Sequence, residues 1–144
     1  MNPQNYLQTF AAGYFEALLW AEHDIDDKDN DTLGDIYGIK DIAGLSRDEA
    51  RAECADFLAQ AGDLLLSAST MGEYRDVYEG RLRLSKGFKW AGRDFLLTRN
   101  GHGVGFWNRR LPDHIANELS DIAESFGSVY VFSNGTNTLH IEKG

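Results

Sequence analysis

The stretch from Arg93 to Trp107, RDFLLTRNGHGVGFW, is the part of this chain that most restricts how it can fold. A β-rich run leads into Asn100-Gly101, the dipeptide that fills both left-handed positions of a type I′ turn, so the spacing predicts a β-hairpin with its tip at residues 100–103. Gly103 and Gly105 would keep the returning strand free of side-chain bulk, so that a backbone, a phosphate or a ring could approach closely.

Helical periodicity dominates elsewhere. From Tyr6 to Trp20, Leu7, Phe10, Ala11, Tyr14, Phe15, Leu18 and Leu19 recur at three and four and predict a core-facing helix. Ser46 followed by Glu49 has the spacing of a capping box and predicts the start of a second helix, whose buried stripe runs through Ala50, Cys54, Phe57, Leu58, Ala61, Leu64 and Leu65. Pro112 and Asp113 suit the start of a third helix, with Ile115, Leu119, Ile122, Ala123 and Phe126 on its apolar face and Gly127 ending it. Runs at 128–133 and 138–142, joined around Asn134-Gly135, read as a further hairpin. Residues 22–42 have no sustained period and read as a long loop, with an extended piece at 35–39; Val77 to Leu84 fits either a short helix or an edge strand.

This order predicts a single α+β domain over residues 1–144: two N-terminal helices, then antiparallel β-hairpins flanking a third helix packed on a small sheet. The N-terminus has no basic region ahead of an apolar run, and Glu16 interrupts FAAGYFEALLW. Neither a signal peptide nor a membrane span fits, and a cytoplasmic protein with no membrane partner is expected. The single Cys54 lies in a helical pattern and reads as a small buried hydrophobe.

Charge is unevenly distributed. Residues 1–80 carry 17 acids and 5 bases, a net −12, whereas residues 81–144 carry 6 acids and 9 bases, a net +3, consistent with −9 for the whole chain. Glu22, Asp24, Asp26, Asp27, Asp29, Asp31 and Asp35 crowd one loop against Lys28 alone. Such a loop can be a solvated surface, a loose cation site, or a recognition surface whose carboxylates imitate the phosphates of nucleic acid and enter a basic groove. It is not an EF-hand: counting from Asp27, the sixth position is Thr32 rather than glycine and the twelfth is Gly38 rather than glutamate. His23, His102, His114 and His140 are too dispersed for a zinc site, and no metal or other cofactor is expected.

His102 sits beside Arg99 and Asn100, where it could bind phosphate or act as an acid or base, but no nucleophile is visibly paired with it and GHGVG is neither a P-loop nor a dinucleotide fingerprint. A non-enzymatic role is therefore expected. The basic residues Arg81, Arg83, Lys86, Lys89, Arg93, Arg99, Arg109 and Arg110 alternate with Phe88, Trp90, Phe95, Phe106 and Trp107. This mixture could hold single-stranded nucleic acid by phosphate contacts and stacking; alternatively, the rings fill the core and the bases pair with the acidic half.

The segments DFLLTRNGHGVGFW, FAAGYFEALLW, DIYGIKDIAGLSRDEARAECADFLAQAGDLL and ESFGSVYVFSNGTNTLHI together resemble a family of small phage-encoded proteins that carry a motif close to DFWLTRNGHGAGFWDR. Leu96 stands where that motif has tryptophan, and Asn108 where it has aspartate. The resemblance implies an early, dispensable phage product acting inside a bacterial host cell, and it implies no catalytic residue. With the acidic loop, it leads to the expectation of an inhibitor that occludes a basic groove on a host nucleic-acid-acting enzyme or anti-phage defence complex, such as a CRISPR or restriction system. In that expectation Asp24, Asp26, Asp27, Asp29, Asp31 and Asp35 provide charge complementarity, while Arg99, Asn100 and His102 fix orientation. The alternative is a single-stranded nucleic-acid-binding accessory protein that uses the basic aromatic hairpin. Aromatics exposed on such a hairpin would also favour a homodimer.

Overall fold

A computed structural model describes residues 2–78 and 84–144. Five α-helices are described, α1 (Leu7–Ala21), α2 (Gly44–Ala68), α3 (Gly72–Tyr78), α4 (Leu84–Arg99) and α5 (Asp113–Ser125), followed by the antiparallel strands β1 (Val129–Phe132) and β2 (His140–Lys143). The class is α+β with helix predominating. Part of the ambiguous 77–84 segment, together with Arg81 and Arg83, lies outside the described residues.

The centre of the molecule is the α1 and α4 pair, the most extensive contact between any two elements. Glycine sets how closely they approach. A Cβ on Gly13 would lie 1.9 Å from the Lys89 carbonyl oxygen, and one on Gly92 would lie 1.9 Å from that of Phe10, so each helix offers a notch to the other's backbone. Around this contact Phe10, Tyr14, Phe57, Phe95 and Phe106 are fully buried. Phe57 stacks on Phe95 at 4.4 Å, and Phe126 meets Phe95 edge-on at 5.2 Å. Such pairs each add about 0.5–1.5 kcal/mol beyond the area they bury.

The first hairpin expected from the sequence is not formed. Residues 93–99 are the last turns of α4, and Asn100-Gly101 ends that helix instead of reversing a strand. Only Gly101 is left-handed, at φ 70°; the Gly101 N–H donates to Thr98 O and the His102 N–H to Leu97 O, the two bonds of a Schellman cap. The run FLLT resembles a strand because Phe95, Leu96 and Leu97 are all buried, on a helix enclosed from several sides.

The second Asn-Gly does make the predicted turn. Asn134 and Gly135 are both left-handed, at φ 54° and 73°, and Thr136 N–H donates to Ser133 O at 3.0 Å, closing a type I′ turn between β1 and β2. The strands pair from Val129 opposite Lys143 to Phe132 opposite His140.

Two further expectations change. Helix α2 begins at Gly44, ahead of Ser46, and the Ser46 hydroxyl accepts the N–H of Ile141 in β2 at 3.0 Å rather than capping its own helix. Helix α5 starts at Asp113, with Pro112 as its N-cap rather than its first residue, and packs on α2, α4 and the short 3-10 turn Phe106–Asn108; the sheet rests on α2 instead.

Candidate acidic interface and an arginine-walled groove

Residues 22–42 form an ordered strap. Two 3-10 turns, Leu33–Asp35 and Ile39–Asp41, replace the extended piece expected at 35–39, and isolated parallel bridges join Asp24 to Val131 and Ile42 to Leu139. Asp24 is the buried latch at one end: its Oδ1 accepts the N–H of Ser133 at 3.0 Å and of Asp26 at 2.9 Å, while Ile25 N–H donates to Val131 O at 3.0 Å. Asp26 Oδ2 accepts Asn134 N–H at 2.6 Å, and the Asp27 carboxylate accepts the N–H groups of Asp29 and Asp31 at 2.9 and 3.1 Å.

The strap's acids thus divide by role. Asp24 faces inward and cannot touch a partner directly, which corrects its assignment as a contact residue. Asp26, Asp29, Asp31 and Asp35 are exposed and Asp27 is half-buried, and ligand oxygens of Asp27, Asp29 and Asp31 lie within 4.8 Å of one another. Ile25 and Ile36 project beside them, 65% and 54% exposed. A cleft of about 310 Å³ separates this acidic cluster from the Ser133–Asn137 turn.

The side chains of Arg99 and Asn100 also serve the fold. Arg99 is buried: Nε donates to Gly127 O at 2.7 Å, Nη2 to Phe126 O at 3.1 Å, and the guanidinium forks onto Glu53 at 3.0 and 3.2 Å while Nη1 reaches Tyr14 Oη. It therefore satisfies the carbonyls at the end of α5, where a cation is also favoured by the helix dipole. Asn100 pairs with the backbone of Val129 in both directions, Nδ2 to the carbonyl at 3.1 Å and Oδ1 from the N–H at 2.8 Å. Of the three turn residues expected to orient a partner, Arg99 is buried while Asn100 and His102 are half-buried, and His102 Nε2 lies 2.5 Å from Glu22 Oε2.

Part of the basic aromatic stretch is absorbed in the same way, although Trp107, Lys86 and Arg110 stay exposed. Phe88, Phe95 and Phe106 are in the core, Lys89 and Arg93 both bind Glu16, and Arg109 binds Asp94. Burial raises the Glu16 carboxyl, but hydrogen bonds from Lys89 and Arg93 outweigh it and hold the group below the ordinary glutamate range. Burial pushes the Cys54 thiol and the Tyr14 hydroxyl up strongly, which leaves both protonated.

A second feature escaped the sequence reading. Between α1, α4 and the 100–107 loop lies a groove of about 430 Å³, with Ala17, Leu97 and Val104 along it, Trp20 70% exposed at its side, and Arg93 and Arg109 in its wall. Behind it is a buried polar chain. Tyr74 Oη donates to Asp94 Oδ2 at 2.5 Å; Asp94, wholly enclosed, takes Arg109 Nη2 at 2.7 Å and Nε at 3.0 Å; and Arg109 lies over the Trp90 ring at 5.3 Å. Burial pushes the Asp94 carboxyl upward, opposed by Arg109 and Tyr74. The one sequence signal for this site was Asp94 as the lone acid among eight bases.

Among the described residues no helix is long and apolar enough to cross a membrane. Comparison with known protein families, curated proteins and solved structures finds no match to this chain.

Proposed function

We propose that this protein is a small acidic inhibitor, phage-encoded and acting in a bacterial host, that occludes a basic, nucleic-acid-binding groove on a host enzyme or defence complex. The acidic strap is the contact surface. Asp26, Asp27, Asp29, Asp31 and Asp35 supply the charge, and the exposed Ile25 and Ile36 supply apolar contact between them.

The observation that carries this reading is the fastening of the strap. Its two ends are bridged to Val131 and Leu139 and latched by Asp24, so the carboxylates stand on a fixed scaffold and little ordering entropy remains to be lost on binding. The clustering of Asp27, Asp29 and Asp31 concentrates negative potential at one place, the condition for electrostatic steering.

The test is the combined substitution of Asp26, Asp29, Asp31 and Asp35 by asparagine. Each is exposed, and asparagine keeps the side-chain oxygen with which Asp26 accepts Asn134 N–H, so the fold should persist. Association with a captured partner should slow about tenfold or more at low salt, with a smaller change in dissociation. Unchanged affinity and on-rate would end the proposal.

A further inference from the structure

We infer that the groove between α1, α4 and the 100–107 loop is a binding site for a small planar aromatic carboxylate, separate from the acidic strap and independent of its function. Its size falls within the range of small-molecule sites, at about 430 Å³. Ala17 and Leu97 give it an apolar floor, Val104 closes one side, and Trp20 offers an indole face of which little is covered by the rest of the chain. A flat ring is the group that would cover both.

Charge selects the other half of the ligand. Glu16, itself in the groove's lining, is shared between Arg93 at 2.7 Å and Lys89, behind the lining, at 2.6 Å, so this three-residue cluster holds one cation in excess beside the groove. Arg93 uses only Nη2 in that contact, which leaves the rest of its guanidinium able to donate to an anion. Arg109 in the same wall spends Nε and Nη2 on Asp94 and has Nη1 3.9 Å from Glu73, so the unspent donors for an anion are those of Arg93.

The test uses the intact chain with 2-naphthoate as probe and 2-naphthalenemethanol, its uncharged counterpart, as control, followed by the backbone amide resonances of Ala17 and Leu97. The proposal expects saturable one-site binding of the naphthoate with a Kd of roughly 1 mM or tighter, and binding of the alcohol at least about tenfold weaker. Arg93→Gln and Trp20→Ala, both at accessible side chains, should each weaken binding by about tenfold. Val104→Glu should do the same by placing a like charge at the rim, which keeps the test decisive if either of the others alters the fold. Absence of saturation up to about 10 mM naphthoate, equal binding of the alcohol, or wild-type binding by the folded variants would overturn the assignment.

Discussion

Replacing Asp24 by alanine should loosen the strap that carries the acidic surface, and the structure sets the size of the effect. Asp24 Oδ1 accepts two N–H groups. The one from Asp26 belongs to an exposed residue and can pass to water, whereas Ser133 is only 2% exposed and its N–H would be left without an acceptor. A buried donor stranded in this way costs about 1–3 kcal/mol, and losing a hydrogen bond to an ionised group brings the total to about 2–4 kcal/mol. Removing one of several like charges offsets only a few tenths of a kcal/mol at an accessible loop. Asp24→Asn keeps an oxygen acceptor and should lose about 1 kcal/mol. Urea denaturation reads the global change at constant m, and hydrogen exchange at Ser133 and Ile25 reads the local one. If Asp24→Ala lies within about 0.5 kcal/mol of wild type with Ser133 protection unchanged, Asp24 is not a latch and the reasoning fails.

The other predictions concern the frame. Gly92→Ala adds a carbon 1.9 Å from the Phe10 carbonyl oxygen; although alanine favours helix by about 1 kcal/mol, forcing α1 and α4 apart should leave a net loss of about 2 kcal/mol or more in denaturant titration. Gly103→Ala, with open space at that position, should change stability by no more than about 0.5 kcal/mol, and equal stability of the two variants would contradict the close contact. Arg99→Ala leaves Glu53, Tyr14 and the carbonyls of Phe126 and Gly127 without their common donor, so it should cost about 3–5 kcal/mol and lower Tm by roughly 10 °C or more; Arg99→Lys should recover only part of this, since an ammonium cannot fork. Because the Glu16 carboxyl is held below its ordinary range in the folded state, its contribution is present above that range and lost as pH falls through the depressed value. Glu16→Gln should therefore show a flatter acid limb of stability than wild type, and parallel limbs would refute the pairing with Lys89 and Arg93.

Legibility from sequence followed whether a local signal had one physical meaning or two. Helices α1 and α5 and the β1–β2 hairpin were readable because amphipathic period and turn chemistry agree there. Asn-Gly occurs twice and does two jobs. At 134–135 both residues are left-handed and the chain reverses; at 100–101 only the glycine is, and the dipeptide caps a helix. What separates them is the upstream run, where Phe88, Ala91 and Phe95 have helical spacing that the contiguous apolar Phe95, Leu96 and Leu97 obscure. Ser46 misled in a related way: its spacing to Glu49 suggests a cap, but its hydroxyl serves a strand 95 residues away, and no local pattern records that. The acidic surface was visible as composition, while the separation of Asp24 from Asp29, Asp31 and Asp35 needed the hairpin in place. The groove was hidden because Trp20, Arg93, Val104 and Arg109 meet only through the α1–α4 crossing.

The central claim, an acidic surface that engages a basic protein, is tested most directly by affinity capture. The tagged protein would be incubated with lysate of phage-susceptible bacteria at low and high salt, with and without nuclease, beside the Asp26, Asp29, Asp31 and Asp35 to asparagine variant, and its partners identified by mass spectrometry. The account predicts a stoichiometric, nucleic-acid-acting protein partner that survives nuclease, dissociates with salt and is lost from the variant. Recovery of nucleic acid itself, or of a protein held equally by the variant and at high salt, would contradict it.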